Sequence, residues 1–130
     1  MSKKPEQNRN IERIFSLIKS INTQIDCYSG ENKKSINVSD IFYIEDINKK
    51  TVVYCENEKY ETDTDFLKLY EKLSGSGFVK INNLCILNIN KLEKISLLKN
   101  SKIEAFLING KSLFITSKHL DQIKRFLLET

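Results

Sequence analysis

Asn82-Asn83 divides an apolar stretch into two pieces, each too short to make a helix. Before the pair stand Phe78, Val79 and Ile81 around Lys80; after it come Leu84, Cys85, Ile86 and Leu87, closed by Asn88. A helix needs a run of about ten periodic residues, whereas four to six suffice for a strand. Residues 77–92 therefore read as two short β-segments joined at a polar corner. Two readings of that corner stay open. Asn tolerates left-handed backbone, so the pair turns the chain. A primary amide also offers two donor hydrogens and an acceptor, enough to contact a base edge or to donate into a minor groove. A loop braced by strands on both sides would hold such groups in place.

The same punctuation runs through the chain. Strands are expected over 23–28 and 34–38, joined by the hairpin loop Ser29–Lys33, and over 41–47, 51–55 and 59–61, separated by Asn48–Lys50 and Glu56–Glu58. Asp63 or Thr64 is a candidate N-cap for a helix that buries Phe66, Leu69, Tyr70 and Leu73, and Ser74-Gly75-Ser76-Gly77 ends it. Beyond Asn88, strands are expected over 89–97, 102–108 and 111–116, with Asn109-Gly110 as a two-residue hairpin turn. Ser117 then caps a last helix whose Leu120, Ile123 and Leu127 share a face. Near the N-terminus, Ile11, Ile14, Phe15, Ile18 and Ile21 form the stripe of an amphipathic helix. The expected organisation is a tail and amphipathic helix over 1–22 and a mostly β domain with edge helices over 23–130. The stripe is expected to pack on that domain, with a second copy or another protein as alternatives.

Composition narrows the function classes. With 40% hydrophobic and 29% charged residues, 130 residues suit one domain with a modest core. No apolar run approaches the roughly 18 residues of a membrane span, and the polar N-terminus lacks the apolar core of a secretory signal, so a cytoplasmic location is expected. The net charge of +4 is uneven: from Gly77 onward there are nine basic residues against four acidic ones. That asymmetry suits a one-sided surface for a polyanion. Catalysis finds no footing. His119 is the single histidine, and neither a Ser/His/Asp or Cys/His set nor a glycine-rich phosphate loop occurs. The expectation is a non-enzyme with no metal, no cofactor and no small-molecule substrate. Cys27, Cys55 and Cys85 are far apart and read as buried or half-buried small hydrophobes, not as a disulfide framework.

Three blocks, in order, carry a family likeness: Asp40-Ile41-Phe42-Tyr43-Ile44-Glu45, then Phe78 to Asn88, then Leu113-Phe114-Ile115-Thr116-Ser117-Lys118. Over about residues 24 to 130 the chain resembles the LytTR family of bacterial DNA-binding domains. The resemblance implies a row of three small antiparallel β-sheets with an N-terminal, a mid-chain and a C-terminal helix. It also implies that DNA is read by loops instead of a recognition helix. The loop after the "Y-I-E" strand and the start of the last helix would enter successive major grooves, and the central corner the minor groove between them. Carried over by position, Lys50 or Thr51, Asn83 and Lys118 are the implied base contacts. Lys49, Lys80, Ser117 and His119 are the implied phosphate or auxiliary contacts, and Asn82 completes the corner. Lys80 stands where the family pattern has Arg, Asn82 where it has His, Leu84 where it has Ser, and Ser117 where an Arg is frequent.

The resulting expectation is a transcriptional regulator without a receiver domain. It would bind double-stranded promoter DNA sequence-specifically, as a homodimer or pair on direct repeats. The departures just named favour an alternative, an interaction module with weak or no DNA binding. Its helical stripe would dock another regulator or a membrane-bound protein inhibitor.

Overall fold

Apolar residues occupy both alternating faces of the mid-chain strands, so the sheet they form has to be covered twice. The computed structural model describes residues 5–99 and 102–127. The chain runs α1 (Pro5–Asn22), β1 (Gln24–Ser29), β2 (Asn32–Asn37), β3 (Tyr43–Ile47), β4 (Lys50–Tyr54), β5 (Lys59–Thr62) and α2 (Phe66–Leu73). It continues through β6 (Phe78–Asn82), β7 (Cys85–Asn88), β8 (Leu92–Leu97), β9 (Ile103–Leu107), β10 (Ser112–Ile115) and α3 (Leu120–Leu127). Every strand pairing is antiparallel.

Two cores result. Ile44, Val53, Phe78 and Ile86 point to one side of the inner strands, where Ile25, Cys27 and Ile36 of the β1–β2 hairpin and Phe66, Leu69 and Leu73 of α2 cover them. Tyr43, Val79, Ile81, Cys85 and Leu87 point to the other, against Ile103, Ala105, Leu107, Ile115 and Ile123. The mostly β, antiparallel architecture is the one expected. Its partition into sheets differs, because hydrogen bonds merge two of the three expected sheets. One seven-stranded sheet has the order β2-β1-β5-β4-β3-β7-β6, and β10-β9-β8 forms a second. The β1–β5 joint is a single pair, Tyr28 with Glu61, which lets the hairpin lie over the first core while still bonded to β5.

Several local expectations shift for identifiable reasons. Asp65, not Asp63 or Thr64, caps α2, its carboxylate accepting the Lys68 N–H; Asp63 is engaged by the Tyr28 hydroxyl at 3.1 Å. Asn88, fully buried, spends its side chain on the Ile41 carbonyl at 2.7 Å and the Asn90 N–H at 3.0 Å, which bends Ile89–Lys91 into a 3-10 turn before β8. The Asn109-Gly110 turn closes between Leu107 and Lys111, a three-residue loop with Gly110 at φ 88°. Thr116, not Ser117, occupies the cap position of the 3-10 turn Ser117–His119 that leads into α3. Leu127, expected on the buried face of that helix, has a side chain outside the described residues.

The largest departure is α1. Its apolar stripe does not pack on the domain: Ile11, Ile14, Phe15, Ile18 and Ile21 are all exposed. The opposite face docks instead, on the turns Val38–Asp40 and Ser74–Ser76, with Ser16 and Ser20 buried. Those hydroxyls are satisfied inside the helix, donating to the Arg13 and Leu17 carbonyls, so burying them costs little. Their small size also lets the helix approach Gly77, where an added Cβ would lie 3.4 Å from Ser16 Oγ. Among the described residues no helix is long and apolar enough to cross a membrane.

Candidate nucleic-acid interface

Strand register brings three separate loops to one end of the inner sheet. In the β6–β7 hairpin, Phe78 pairs with Asn88 at one end and Asn82 with Cys85 at the other, so Asn83-Leu84 forms the tip. The β3–β4 turn, Asn48-Lys49, lies at the same end, because Glu45 pairs with Cys85 and the Asp46 N–H donates to the Leu84 carbonyl at 2.9 Å. A register shift between Lys80 and Asn82 makes Ile81 the extra residue of a bulge. Its carbonyl, released from the ladder, accepts the Thr116 N–H at 2.9 Å and the Thr116 hydroxyl at 3.4 Å. That ties in the third loop, the β10–α3 junction.

The nine expected site residues divide accordingly. Lys49, Lys50, Asn83, Ser117 and Lys118 are exposed on these loops, and Lys80 is half-buried beside them on β6. Asn48 and Lys49 both have positive φ, 50° and 67°, as a two-residue type I′ turn requires. Lys50 opens β4 and lies 3.7 Å from Glu61. Three of the nine sit differently from a free surface contact. Thr51 is 5% exposed, paired across the sheet with buried Thr62, so its side chain belongs to the sheet interior. Asn82 is committed to structure: its Oδ1 accepts the Leu84 N–H at 2.9 Å and its Nδ2 donates to the Phe114 carbonyl at 3.1 Å. His119 is 8% exposed and hydrogen-bonded through Nδ1 to Thr116 Oγ1 at 2.6 Å.

Two exposed apolar residues beside the loops escaped the sequence reading. Leu84 and Phe114 are 56% and 57% exposed, the latter with Lys102 Nζ 5.6 Å from its ring centroid. Leu84 looks like the start of a core strand in sequence; its position directly after a polar corner, and the Ser that the family pattern has there, hinted otherwise.

Electrostatically this end is basic. Burial holds His119 below the usual imidazole range, and Lys118 and Lys80 lower it further. Two cations from separate elements thus bear on one ring. The thiols, buried at Cys27 and Cys85 and half-buried at Cys55, are poor nucleophiles: desolvation raises Cys27 to about 12 and Cys55 to about 11, and Cys85 higher still. Among the described residues no group of His, Cys, Asp and Glu is placed to hold a metal ion.

A family profile described as the LytTr DNA-binding domain matches residues 31–128. The chain belongs to the LytTR family. The fold agrees: the LytTr DNA-binding domain of a response regulator from Bacillus cereus superimposes with a TM-score of 0.73 at 17% identity, covering 81% of this chain and 96% of that one. In sequence, this LytTR chain is 27% identical over 127 residues to an HTH-type transcriptional regulator of Staphylococcus aureus, across 95% of its own length and 84% of the relative's. It is also 25% identical over 92 residues to the sensory transduction protein LytT of Bacillus anthracis, covering 71% of this chain and 37% of that protein. In the LytTR chain described here, strands separate α1, α2 and α3. Two turns between strands and one strand-to-helix junction, not two helices in succession, form the candidate surface.

Proposed function

We propose that this LytTR protein is a sequence-specific DNA-binding transcriptional regulator that reads promoter DNA through the three loops at one end of its inner sheet. The observation that carries this reading is their convergence. Asn48–Lys50, Asn83-Leu84 and Ser117–Lys118 lie far apart in the chain, yet hydrogen bonds from Asp46 to Leu84 and from Asn82 to Phe114 lock them into one edge. Lys50, Asn83 and Lys118 take the base contacts, with Thr51 withdrawn into the sheet. Lys49, Lys80 and Ser117 contact phosphates, as lysines on a polyanion surface do. His119 acts from below, bracing the junction that presents Lys118. Residues 23–130 are the reading domain, and residues 1–22 are an appended tail and amphipathic helix, with α1 at Pro5–Asn22. Two copies occupy adjacent direct repeats.

Fluorescence anisotropy with DNA from upstream of the protein's own gene, titrated against random duplex over a salt series, tests the reading. A preference of about a thousandfold or more for one segment supports it; equal affinity for both overturns it. Footprinting then reports whether the protected region holds two repeats in the same orientation. The exposed stripe on α1 favours a second reading, an interaction module that docks another regulator or a membrane-bound inhibitor. Under that reading the same titration shows no specific complex.

A further inference from the structure

The outward face of α1 has the spacing of a coiled-coil seam. Ile11, Ile14, Ile18 and Ile21 recur at intervals of three, four and three, the a and d positions of a heptad, with Phe15 and Leu17 flanking at e and g. All six are between 43% and 59% exposed. None carries charge, so the face suits neither a polyanion nor an oppositely charged partner. Its own domain is already taken by the opposite face, through Ser16 and Ser20.

We propose that this seam pairs with the same seam of a second copy. Six half-exposed side chains leave roughly 600 Å² of apolar surface on one helix, at the upper end of what monomers display. Two such faces joined would remove roughly 1,000 Å² or more, the size at which specific interfaces begin. An isolated helix of this length would lose much of that gain to ordering, but α1 is already held in place by its serine face, so the surface is preorganised. A seam of one residue type is self-complementary, as a two-fold interface requires. The position of α1 also suits pairing. It docks near Gly77, at the start of β6, whereas the reading edge lies at the far end of that strand beyond Asn82. Pairing through α1 leaves both edges open.

This inference deepens the paired reading above but forms in free solution, without DNA. Copies related by a rotation through α1 are a different pair from neighbours related by translation along a direct repeat. The two arrangements do not compete.

Sedimentation equilibrium of the full chain without DNA, at tens of micromolar, tests it together with the Ile14→Glu/Ile18→Glu variant. The expected result is a two-chain mass for the parent and a one-chain mass for the variant. At a concentration low enough to keep the parent monomeric, both should share a melting temperature and an affinity for a single DNA repeat, since the changed residues are exposed in the single chain. A second measurement guards against misfolding: Ile18→Cys, oxidised, should give a covalent dimer across the seam. A one-chain parent overturns the proposal even if DNA binding is specific. So does a variant that remains dimeric, or an Ile18→Cys chain that fails to cross-link. A dimer that dissociates on substitution, in a protein with no preferred DNA, upholds the seam and sinks the DNA reading instead.

Discussion

The side chain of Asn82 donates from Nδ2 to the carbonyl of Phe114 at 3.1 Å, while its Oδ1 accepts the N–H of Leu84 at 2.9 Å. One amide thus shapes the central turn and fastens it to the second sheet. A residue that reads in sequence as part of a DNA-reading corner is, in the fold, the clamp between two loops that make the edge. Asn82→Ala should therefore lower stability by about 1 kcal/mol, the net worth of one or two partly exposed hydrogen bonds. Chemical denaturation measures it. An unchanged midpoint would show that the clamp contributes nothing.

Asn83, exposed at the tip, has the complementary role. Asn83→Ala should cost the specific complex about 1–3 kcal/mol and leave nonspecific binding and the denaturation midpoint nearly unchanged. Parallel titrations on operator and random DNA decide the matter. Equal loss on both would assign Asn83 to general backbone contact.

Lys49 holds φ 67°, a left-handed conformation that disfavours a side chain. Lys49→Gly converts the turn to Asn-Gly, the preferred type I′ sequence, and should raise stability by about 1 kcal/mol. It also deletes a phosphate donor, so affinity should fall on all sequences alike, and the salt dependence should shrink by about one counterion. Gain in stability with loss in affinity is a combination that a merely structural lysine would not give.

Lys118 and His119 are adjacent but differ in exposure, and pH separates them. The folded pKa of His119 lies below its ordinary value of 6.5, with burial the main cause. Stability is then complete above the unfolded value, where both states are neutral. It declines as pH falls through that value, because the unfolded chain takes up the proton first. Melting temperature should drop as pH falls through the ordinary imidazole value of 6.5, and His119→Gln should flatten that slope. Lys118→Ala should lessen the drop, since one of the charges opposing the imidazolium is gone. It should also weaken the specific complex by about 1–3 kcal/mol and move stability at neutral pH by no more than about 0.5 kcal/mol.

Local pattern determined a great deal by itself. Alternation in Phe78–Ile81, the break at Asn82-Asn83, the turn residues at Asn48-Lys49 and the helical period of Phe66, Leu69 and Leu73 each follow from backbone preferences acting over a few residues. Those preferences survive folding, so the order of strands and helices was legible; the family likeness rested instead on the three blocks at Asp40–Glu45, Phe78–Asn88 and Leu113–Lys118. What the pattern could not show is which surface covers an apolar face. The α1 stripe looks the same whether it points inward or outward; that Ser16 and Ser20 dock was decided by close approach at Gly77 and by hydroxyls satisfied within the helix. Thr51 alternates with Val52 in a strand buried on both sides, so neither face identifies it as interior. The reading edge itself rests on register and on bonds spanning more than thirty residues, from Asn82 to Phe114 and from Thr116 to Ile81. Such contacts exist only once the sheets have stacked, and it is their geometry that turns three loops into one surface.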